Sequence, residues 1–201
     1  MLEQLAAHFN EHKYAFVPNF IARDLCDVAT TYTLFKRNFE RRIESGVKQV
    51  PDTHSVYGDH LMESLLVFAH PWVEKISGLT LHPTYTHYRV YKPGDELKQH
   101  TDRPACQISV SLCLGSQYVD AAPDYRWGLW LRDRDGNDRE YAMNPGDAVI
   151  YRGLEVPHWR RPFAAKPGSF QAQVFLHYVD AKGPHAEWKF DKRPGLGSQV
   201  R

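Results

Sequence analysis

Cysteine is scarce in this chain of 201 residues, which contains only Cys26, Cys106 and Cys113. Three unevenly spaced cysteines are too few for a disulfide framework or a structural zinc site, and an odd number is typical of free thiols in a reducing compartment. The sequence also lacks a run of about 18 apolar residues that could span a membrane. Its first residues carry scattered charges, whereas a signal peptide has a basic end followed by an apolar run. We therefore expect a soluble, cytoplasmic protein without membrane contacts.

Net charge of either sign is nearly absent as well. The 25 Lys and Arg residues are balanced by 24 Asp and Glu residues, which leaves a formal net charge of +1 at pH 7. Such a balance produces no strong field toward nucleic acid or an anionic membrane. The basic residues between positions 36 and 48 are interpreted as a solvated helix face. Composition thus argues against nucleic acid as a partner, and any partner has to be inferred from the chemistry of a site.

The arrangement of apolar residues changes once along the chain. In residues 1–80 they recur mainly at helical spacing, with one short strand predicted at 14–21. Beyond Pro83, short runs of alternating apolar residues are separated by turns rich in Gly, Pro, Asp and Asn. These runs predict strands over residues 84–91, 107–115, 126–133, 147–153 and 171–180.

Many short strands joined by such turns favour a β-sandwich or a jelly roll. We predict a single α+β domain over residues 1–201, mainly β, in which helices within residues 1–80 support a jelly-roll core at 81–182. Residues 183–201 have a composition typical of a loose C-terminal tail.

Two segments carry a candidate metal site. His100 and Asp102 follow the run YRVYKPGDELKQ, and His158 lies in PGDAVIYRGLEVPHWRR. In a strand, side chains two residues apart face the same way, so His100 and Asp102 can point together into a barrel. Two imidazoles and one carboxylate suit non-haem Fe(II) and leave the opposite face of the ion open. We predict these three residues to be the metal ligands and the catalytic centre. Isolated histidines are more often structural, an interpretation that applies to His82, His87 and His177.

With these motifs the sequence resembles the Fe(II)- and 2-oxoglutarate-dependent dioxygenases, and most closely their prolyl-hydroxylase-like branch. The resemblance covers most of the chain: a helix-strand-helix opening, Tyr91 before a Pro-Gly turn, the His-any-Asp pair, a Gly-Asp strand and the distal histidine. It implies a double-stranded β-helix with His100, Asp102 and His158 as iron ligands. Tyr91, nine residues ahead of His100, would hydrogen bond to 2-oxoglutarate. The implied cosubstrates are 2-oxoglutarate and O2, with ascorbate as a candidate reductant.

The sequence departs from this family at one position. Such enzymes place an Arg or Lys about ten residues after the distal histidine, where it binds the far carboxylate of 2-oxoglutarate. Here that position is Gly168, and the strand that follows holds Gln173 rather than a cation. Arg160 shares strand parity with His158, and Arg89 shares parity with Tyr91.

Because a planar guanidinium can hold a carboxylate through two bonds, an arginine is the better anchor. We take Arg160 as the first candidate and Arg89 as the second, with Gln173 offering one neutral contact.

Three functions stay open on the sequence. The first is hydroxylation of a C–H bond in a small molecule or a protein side chain, with release of succinate and CO2. The second is demethylation of nucleic acid, because His-Thr-Asp-Arg followed by ISVSLCLG also resembles DNA-repair dioxygenases. The third is a non-catalytic jelly-roll module that retains a metal. The sequence does not identify the substrate, which can be a small molecule or a peptide. It does not indicate the oligomeric state either.

Overall fold

Helices and short strands alternate at the beginning of the chain. The computed structural model describes residues 2–40 and 49–198, and the α-helices within these ranges are α1 (Leu2–His12), α2 (Arg23–Phe39) and α3 (His60–Ser77). Strands β1 (Tyr14–Val17) and β2 (His54–Tyr57) lie between them. None of these helices has both the length and the apolar content that a membrane span requires.

Helix α3 shows how the local sequence sets the ends of an element. The carboxylate of Asp59 accepts hydrogen bonds from the backbone N–H groups of Leu61, at 3.0 Å, and Met62, at 3.3 Å. These donors have no partner within the helix, so the cap stabilises its first turn. Gly78 follows the last turn with φ of 71°, a left-handed conformation that glycine adopts without strain. Both signals are visible in the sequence.

Eight more strands follow α3 in the described residues, and together with β1 and β2 they form two sheets. They are β3 (Leu81–Tyr91), β4 (Leu97–His100), β5 (Ile108–Gln117), β6 (Leu129–Arg132), β7 (Asp138–Tyr141), β8 (Ala148–Arg152), β9 (His158–Arg160) and β10 (Phe170–Asp180). A large sheet has the order β1-β8-β5-β10-β3-β2, and a small sheet has the order β4-β9-β6-β7. Neighbouring strands in both sheets pair antiparallel. The fold is therefore mainly β with helices at its N-terminal end, as predicted, and the structure adds that the strands pair antiparallel.

The chain moves repeatedly between the two sheets. Strands β3, β5, β8 and β10 belong to the large sheet, and β4, β6, β7 and β9 belong to the small one. Each short strand of the small sheet is thus followed or preceded by a long strand of the large sheet. This alternation brings His100 of β4 and His158 of β9 side by side in the small sheet, opposite the inner face of the large sheet.

Strand β10 is covered on both faces. Its even-numbered side chains at 172–178 belong to a hydrophobic core that also includes residues of the three α-helices named above. Its odd-numbered side chains point the other way, because side chains alternate along a strand. Phe175 and His177 border the same cavity as His100 and His158, and Gln173 is fully buried. Buried polar side chains are rarer than buried apolar ones, so this inner row marks the space between the sheets as a candidate site.

Short strands were the ones that sequence periodicity missed. The five strands predicted beyond Pro83 overlap β3, β5, β6, β8 and β10, with ends that coincide or are displaced by at most three residues. Strands β2, β4, β7 and β9 were not predicted, because each has at most two apolar residues, too few to display an alternating pattern. Of the basic cluster at 36–48, positions 41–48 lie outside the described residues.

The expectation of a loose C-terminal tail is wrong for the residues that the structure describes. A kinked 3-10 segment lies within Ala186–Lys192, where Lys189, Phe190 and Asp191 have non-helical backbone angles. Arg193 behind it is 8 % exposed. The Arg193 guanidinium forms an ion pair with Glu63 of α3 and donates to the carbonyl oxygen of Thr84. Such contacts join residues that are far apart in the chain, and composition does not reveal them. Residues 199–201 lie outside the described part.

Candidate metal centre

The three predicted ligands lie together where β4 pairs with β9. His100 and His158 are direct cross-strand partners, and their ring centres are 4.3 Å apart. The Oδ1 atom of Asp102 is 3.8 Å from Nε2 of His100 and 3.7 Å from Nε2 of His158. All three ligand atoms lie within 4.8 Å of one another. One ion can be shared by these atoms.

Backbone carbonyls orient both imidazoles. Nδ1 of His100 is 2.8 Å from the carbonyl oxygen of Lys98, and Nδ1 of His158 is 3.0 Å from that of Val156. A carbonyl oxygen only accepts, so each Nδ1 carries the proton and each Nε2 keeps its lone pair for a metal. Burial lowers the pKa of His158 to about 4, and burial with the neighbouring His158 lowers the pKa of His100. Both rings are therefore neutral at pH 7, the form that binds metal ions.

Asp102 is held by a polar chain behind it. Its Oδ2 atom accepts a hydrogen bond from the Ser109 hydroxyl at 2.8 Å, and the same hydroxyl is 3.0 Å from Nδ1 of His177. The Asp102 backbone N–H donates to the carbonyl oxygen of Gly153 at 2.8 Å. These contacts leave Oδ1 directed at the two imidazoles. Burial raises the pKa of Asp102 to about 6, although Ser109 and His100 act in the opposite direction.

The metal-ligand cluster opens into a cavity of about 400 Å³. This volume lies within the range of about 300–1,000 Å³ that is common for small-molecule sites. Its walls carry the rings of Tyr57, Tyr85, His87, Phe175 and His177, together with Arg89 and Arg103. The Arg103 guanidinium makes two hydrogen bonds to the Asp191 carboxylate, at 2.9 and 2.7 Å.

Arg160 and Tyr91, both predicted to contact a cosubstrate, lie together in the interior. Each is fully buried, and the Arg160 guanidinium carbon is 5.8 Å from the centre of the Tyr91 ring. Nη1 of Arg160 donates to the carbonyl oxygen of Trp127 at 2.7 Å. Its Nε and Nη2 atoms have no hydrogen-bond partner, and no carboxylate pairs with it, in residues 2–40 and 49–198. A buried guanidinium without an anion is energetically unfavourable, so this position is prepared for one.

Arg89 occupies a different place from Arg160. Arg89 is 3 % exposed and belongs to the lining of the cavity. Arg160 is fully buried and does not belong to that lining. Nη2 of Arg89 donates to Oε1 of Gln49 at 3.1 Å, and Nη1 is 3.5 Å from the Tyr91 hydroxyl oxygen. Its Nε atom has no partner among the described residues.

The residues at and after the usual position of the carboxylate anchor, Gly168 and Gln173, do not offer a free cation or a free donor for a carboxylate. Gln173 donates to the Ser111 hydroxyl at 2.9 Å and accepts from Nε2 of Gln171 at 3.0 Å. Gly168 lies in the turn before β10 with φ of 92°, where a side chain would be strained. Of the candidates named from sequence, the two arginines are thus the ones with unused donors.

Several solved structures are similar to this chain in fold. No family model and no curated protein matches the chain in sequence. A prolyl-4-hydroxylase from Pseudomonas putida superposes with a TM-score of 0.68 at 17 % identity, over 88 % of this chain and 98 % of that one. The non-heme alpha ketoglutarate dependent epimerase SnoN from nogalamycin biosynthesis gives 0.75 at 16 %, over 100 % and 92 %. A prolyl hydroxylase from Trichoplax adhaerens, in complex with a hypoxia inducible factor peptide, gives 0.69 at 14 %, over 90 % of each chain.

The chain has the fold of these enzymes. The resemblance noted from the motifs is therefore confirmed at the level of fold. Identities of 14–17 % show no more than that, and the chemistry has to be argued from the site itself.

Sequence reasoning missed the residues that support the ligands. Ser109 and His177 hold Asp102 from behind, and the Tyr151 hydroxyl is 3.3 Å from Nε2 of His158. Interpreting His177 as structural agrees with its hydrogen bond to Ser109. The one available signal was strand parity, because His177 shares a face with Gln173 on β10.

Gly153 permits the close approach of Asp102, because a Cβ atom there would overlap Oδ2 of Asp102 and the carbonyl oxygen of Cys106. We expect Gly153→Ala to displace the carboxylate and to weaken metal binding by about 10- to 100-fold, as losses of supporting contacts around metal ligands do. Titration of the metal-free variant with Co(II), followed in the visible spectrum, measures the change. Gly195→Ala is the control, because nothing lies within 4 Å of a Cβ at Gly195. An unchanged affinity for Gly153→Ala would show that the carboxylate does not depend on this gap.

Proposed function

We propose that the protein is an Fe(II)- and 2-oxoglutarate-dependent oxygenase that hydroxylates a C–H bond of a small-molecule or peptide substrate. The eight strands β3–β10 would form the double-stranded β-helix of that family within a single domain. The observation that carries the proposal is the buried Arg160, which has no anionic partner in the described residues. Arg160 is on β9, the strand of His158, and its guanidinium lies beside the ring of Tyr91.

The metal ligands fit Fe(II). Two neutral imidazoles and one carboxylate are the ligand set of non-haem iron oxygenases, and thiolates, which would favour zinc or copper(I), are not among them. Burial raises the pKa of the Cys106 thiol, the cysteine nearest to the site, so it stays protonated. His100, Asp102 and His158 would hold the iron.

The position of Arg160 fits the far carboxylate of 2-oxoglutarate. It lies two residues after His158 on the same strand, which separates the two Cα atoms by about 7 Å. Its unpartnered Nε and Nη2 atoms form one edge of the guanidinium, and this edge matches a carboxylate through two parallel hydrogen bonds. Tyr91, whose ring packs against Trp127 at 4.9 Å between ring centres and lies 5.8 Å from the Arg160 guanidinium carbon, would add its hydroxyl to the cosubstrate site.

The chain's own residues would position the reactants and exclude water. Arg160 and Tyr91 orient the cosubstrate, and the carbonyl groups of Lys98 and Val156 keep each ring proton on Nδ1. Ser109 keeps the Asp102 carboxylate directed at the imidazoles. Bound iron would supply the activation of O2 that couples decarboxylation of 2-oxoglutarate to hydroxylation of the substrate. Such preorganisation is the main contribution of a protein to cofactor chemistry.

Structures of related fold support both substrate classes. One of them contains the epimerase SnoN with Fe3+, alpha ketoglutarate and nogalamycin RO, and another contains a hypoxia inducible factor peptide. A small molecule and a peptide therefore both stay within the proposal.

An anaerobic titration of the Fe(II)-loaded protein with 2-oxoglutarate tests this proposal. Chelation of iron by a keto acid gives a visible charge-transfer band, and we expect a band that saturates in the wild type. His158→Ala, which removes one ligand, should show no band. Iron binding without a band in the wild type would refute the assignment of 2-oxoglutarate and favour a metal-binding module without this chemistry.

A further inference from the structure

Within residues 2–40 and 49–198, the cavity beside the metal ligands has one arginine without a carboxylate partner, Arg89. Arg103 is neutralised by its two hydrogen bonds to Asp191. Arg89 is 3 % exposed, and its hydrogen-bond partners among the described residues are neutral: the Gln49 side chain at 3.1 Å and the Tyr91 hydroxyl at 3.5 Å. Its Nε atom lacks a hydrogen-bond partner within the described ranges. Asp102, the one carboxylate of the described cavity lining, is directed at the imidazoles.

A second unused polar atom lies next to Arg89 on the inner face of β3. Nε2 of His87 is buried and has no hydrogen-bond partner among the residues that the structure describes. Positions 87 and 89 face the same way because side chains two residues apart share a face of a strand. Burial lowers the pKa of His87 well below its ordinary value, so the ring is neutral and offers a hydrogen bond without adding charge.

The surface around these two residues is aromatic. The centre of the Phe175 ring lies 5.7 Å from the Arg89 guanidinium carbon and 6.3 Å from the centre of the His87 ring, and the two rings are inclined by 28°. Farther along the same wall, Tyr85 stacks on Tyr57 with ring centres 4.8 Å apart. Flat apolar walls of this kind bind planar carbon groups, whereas a cation with unused donors binds an anion.

We propose that Arg89, with His87, binds the carboxylate of the substrate, and that this substrate is an organic acid with a planar carbon body lying against Phe175. This inference rests on the proposed function, because it requires that Arg160 and Tyr91 hold the cosubstrate. The two unbalanced arginines then have different anions. Arg160, in the interior, takes the far carboxylate of 2-oxoglutarate, and Arg89, at the cavity wall, takes the acid group of the substrate.

Paired acids and amides test the proposal. Benzoate and phenylacetate, each with its neutral amide, are titrated into the anaerobic complex of the protein with Fe(II) and 2-oxoglutarate, and changes in the charge-transfer band report binding near the iron. We expect each acid to bind at least about 10-fold more tightly than its amide. Arg89→Met should abolish this preference while the Kd of 2-oxoglutarate stays within about twofold of the wild-type value. Arg89→Lys should retain part of the preference, because it keeps the charge.

Controls separate the possible failures. Arg134→Met removes an exposed arginine whose hydrogen bond is to the carbonyl oxygen of Glu11, and it should bind acids and 2-oxoglutarate as the wild type does. Thermal melting checks that each variant is folded. Equal binding of acids and amides, or an Arg89→Met variant that loses 2-oxoglutarate as strongly as the acids, would overturn the inference.

The 2-oxoglutarate assignment can be wrong while the proposed acid site at Arg89 is right, and a further experiment separates the two cases. If the wild type shows no charge-transfer band, the same acids are titrated by calorimetry into the iron-loaded protein alone. Acid binding that is lost in Arg89→Met then supports the acid site while the assignment of 2-oxoglutarate is rejected. Absence of acid binding in that experiment rejects the acid site as well.

Discussion

Arg160→Met is expected to weaken the binding of 2-oxoglutarate by at least about 30-fold without loss of stability in the metal-free protein. The wild-type guanidinium is fully buried, and burial lowers its pKa because the charge has lost its water. Replacing an unpaired buried charge by an apolar side chain of similar size is often neutral or stabilising. We therefore expect a free energy of unfolding within about 1 kcal/mol of the wild-type value or above it.

The same substitution removes the proposed anchor of the cosubstrate. Loss of one member of a buried charge pair costs about 2–5 kcal/mol, so the Kd of 2-oxoglutarate should rise by at least about 30-fold. The anaerobic titration measures this Kd, and urea unfolding measures the stability.

Arg161→Met is the matched control for Arg160→Met. Arg161 is the next residue, is exposed, and packs its guanidinium carbon 3.8 Å from the centre of the Trp130 ring. Its loss should change neither measurement by more than about 0.5 kcal/mol, as is usual for surface substitutions. If Arg160→Met binds 2-oxoglutarate normally, the anchor lies elsewhere. Arg89 is then the remaining candidate, and the division of the two arginines between cosubstrate and substrate is wrong.

Glu63→Gln is expected to cause the largest loss of stability. The carboxylate of Glu63 and the guanidinium of Arg193 form an ion pair in which the side chains are 3 % and 4 % exposed. The other Glu63 oxygen accepts from the backbone N–H of Gly197, so the carboxylate also attaches the C-terminal segment to α3. Breaking a buried pair by removing one charge costs about 3–5 kcal/mol, because the remaining charge stays buried without compensation.

Thermal and urea unfolding measure this effect. For a chain of this length, a loss of 3–5 kcal/mol corresponds to a decrease in Tm of about 6–20 °C. The double variant Glu63→Met with Arg193→Met should recover much of the loss, since no unpaired charge remains. Glu187→Gln, in the 3-10 segment, changes a side chain for which no ion pair is found in the described residues, and it serves as the control. If the single and double variants are equally unstable, the packing of this segment rather than its charge pair stabilises α3.

The ligand cluster shows which part of a site a sequence predicts. The two-residue spacing of His100 and Asp102 places both side chains on one face of an extended segment by local geometry alone. His158 follows His100 by about sixty residues and reaches it only because β4 pairs with β9. The resemblance to a known family was what indicated His158 as the third ligand. The structure brings the three residues together, while their role as iron ligands stays a prediction.

The supporting residues could not be predicted in the same way. Ser109 and His177 reach Asp102 through the pairing of β5 with β10, and neither belongs to a local motif. Carbonyl groups of Lys98 and Val156 set the tautomers of the two imidazoles, and every residue type offers that group. The contact between Ser109 and His177 depends on a tertiary distance, and the two carbonyl contacts, although local, leave no trace in residue type.

The sequence by itself determined the mainly β architecture with N-terminal helices, because apolar periodicity is a local property of each element. It also identified the candidate ligands and both candidate arginines. Only the tertiary structure decided that Arg160 lies buried beside Tyr91, that Arg89 lines the cavity, and that the C-terminal segment is attached to α3. The physical reason is that the environment of a charge is set by the groups packed around it, and those groups come from distant parts of the chain.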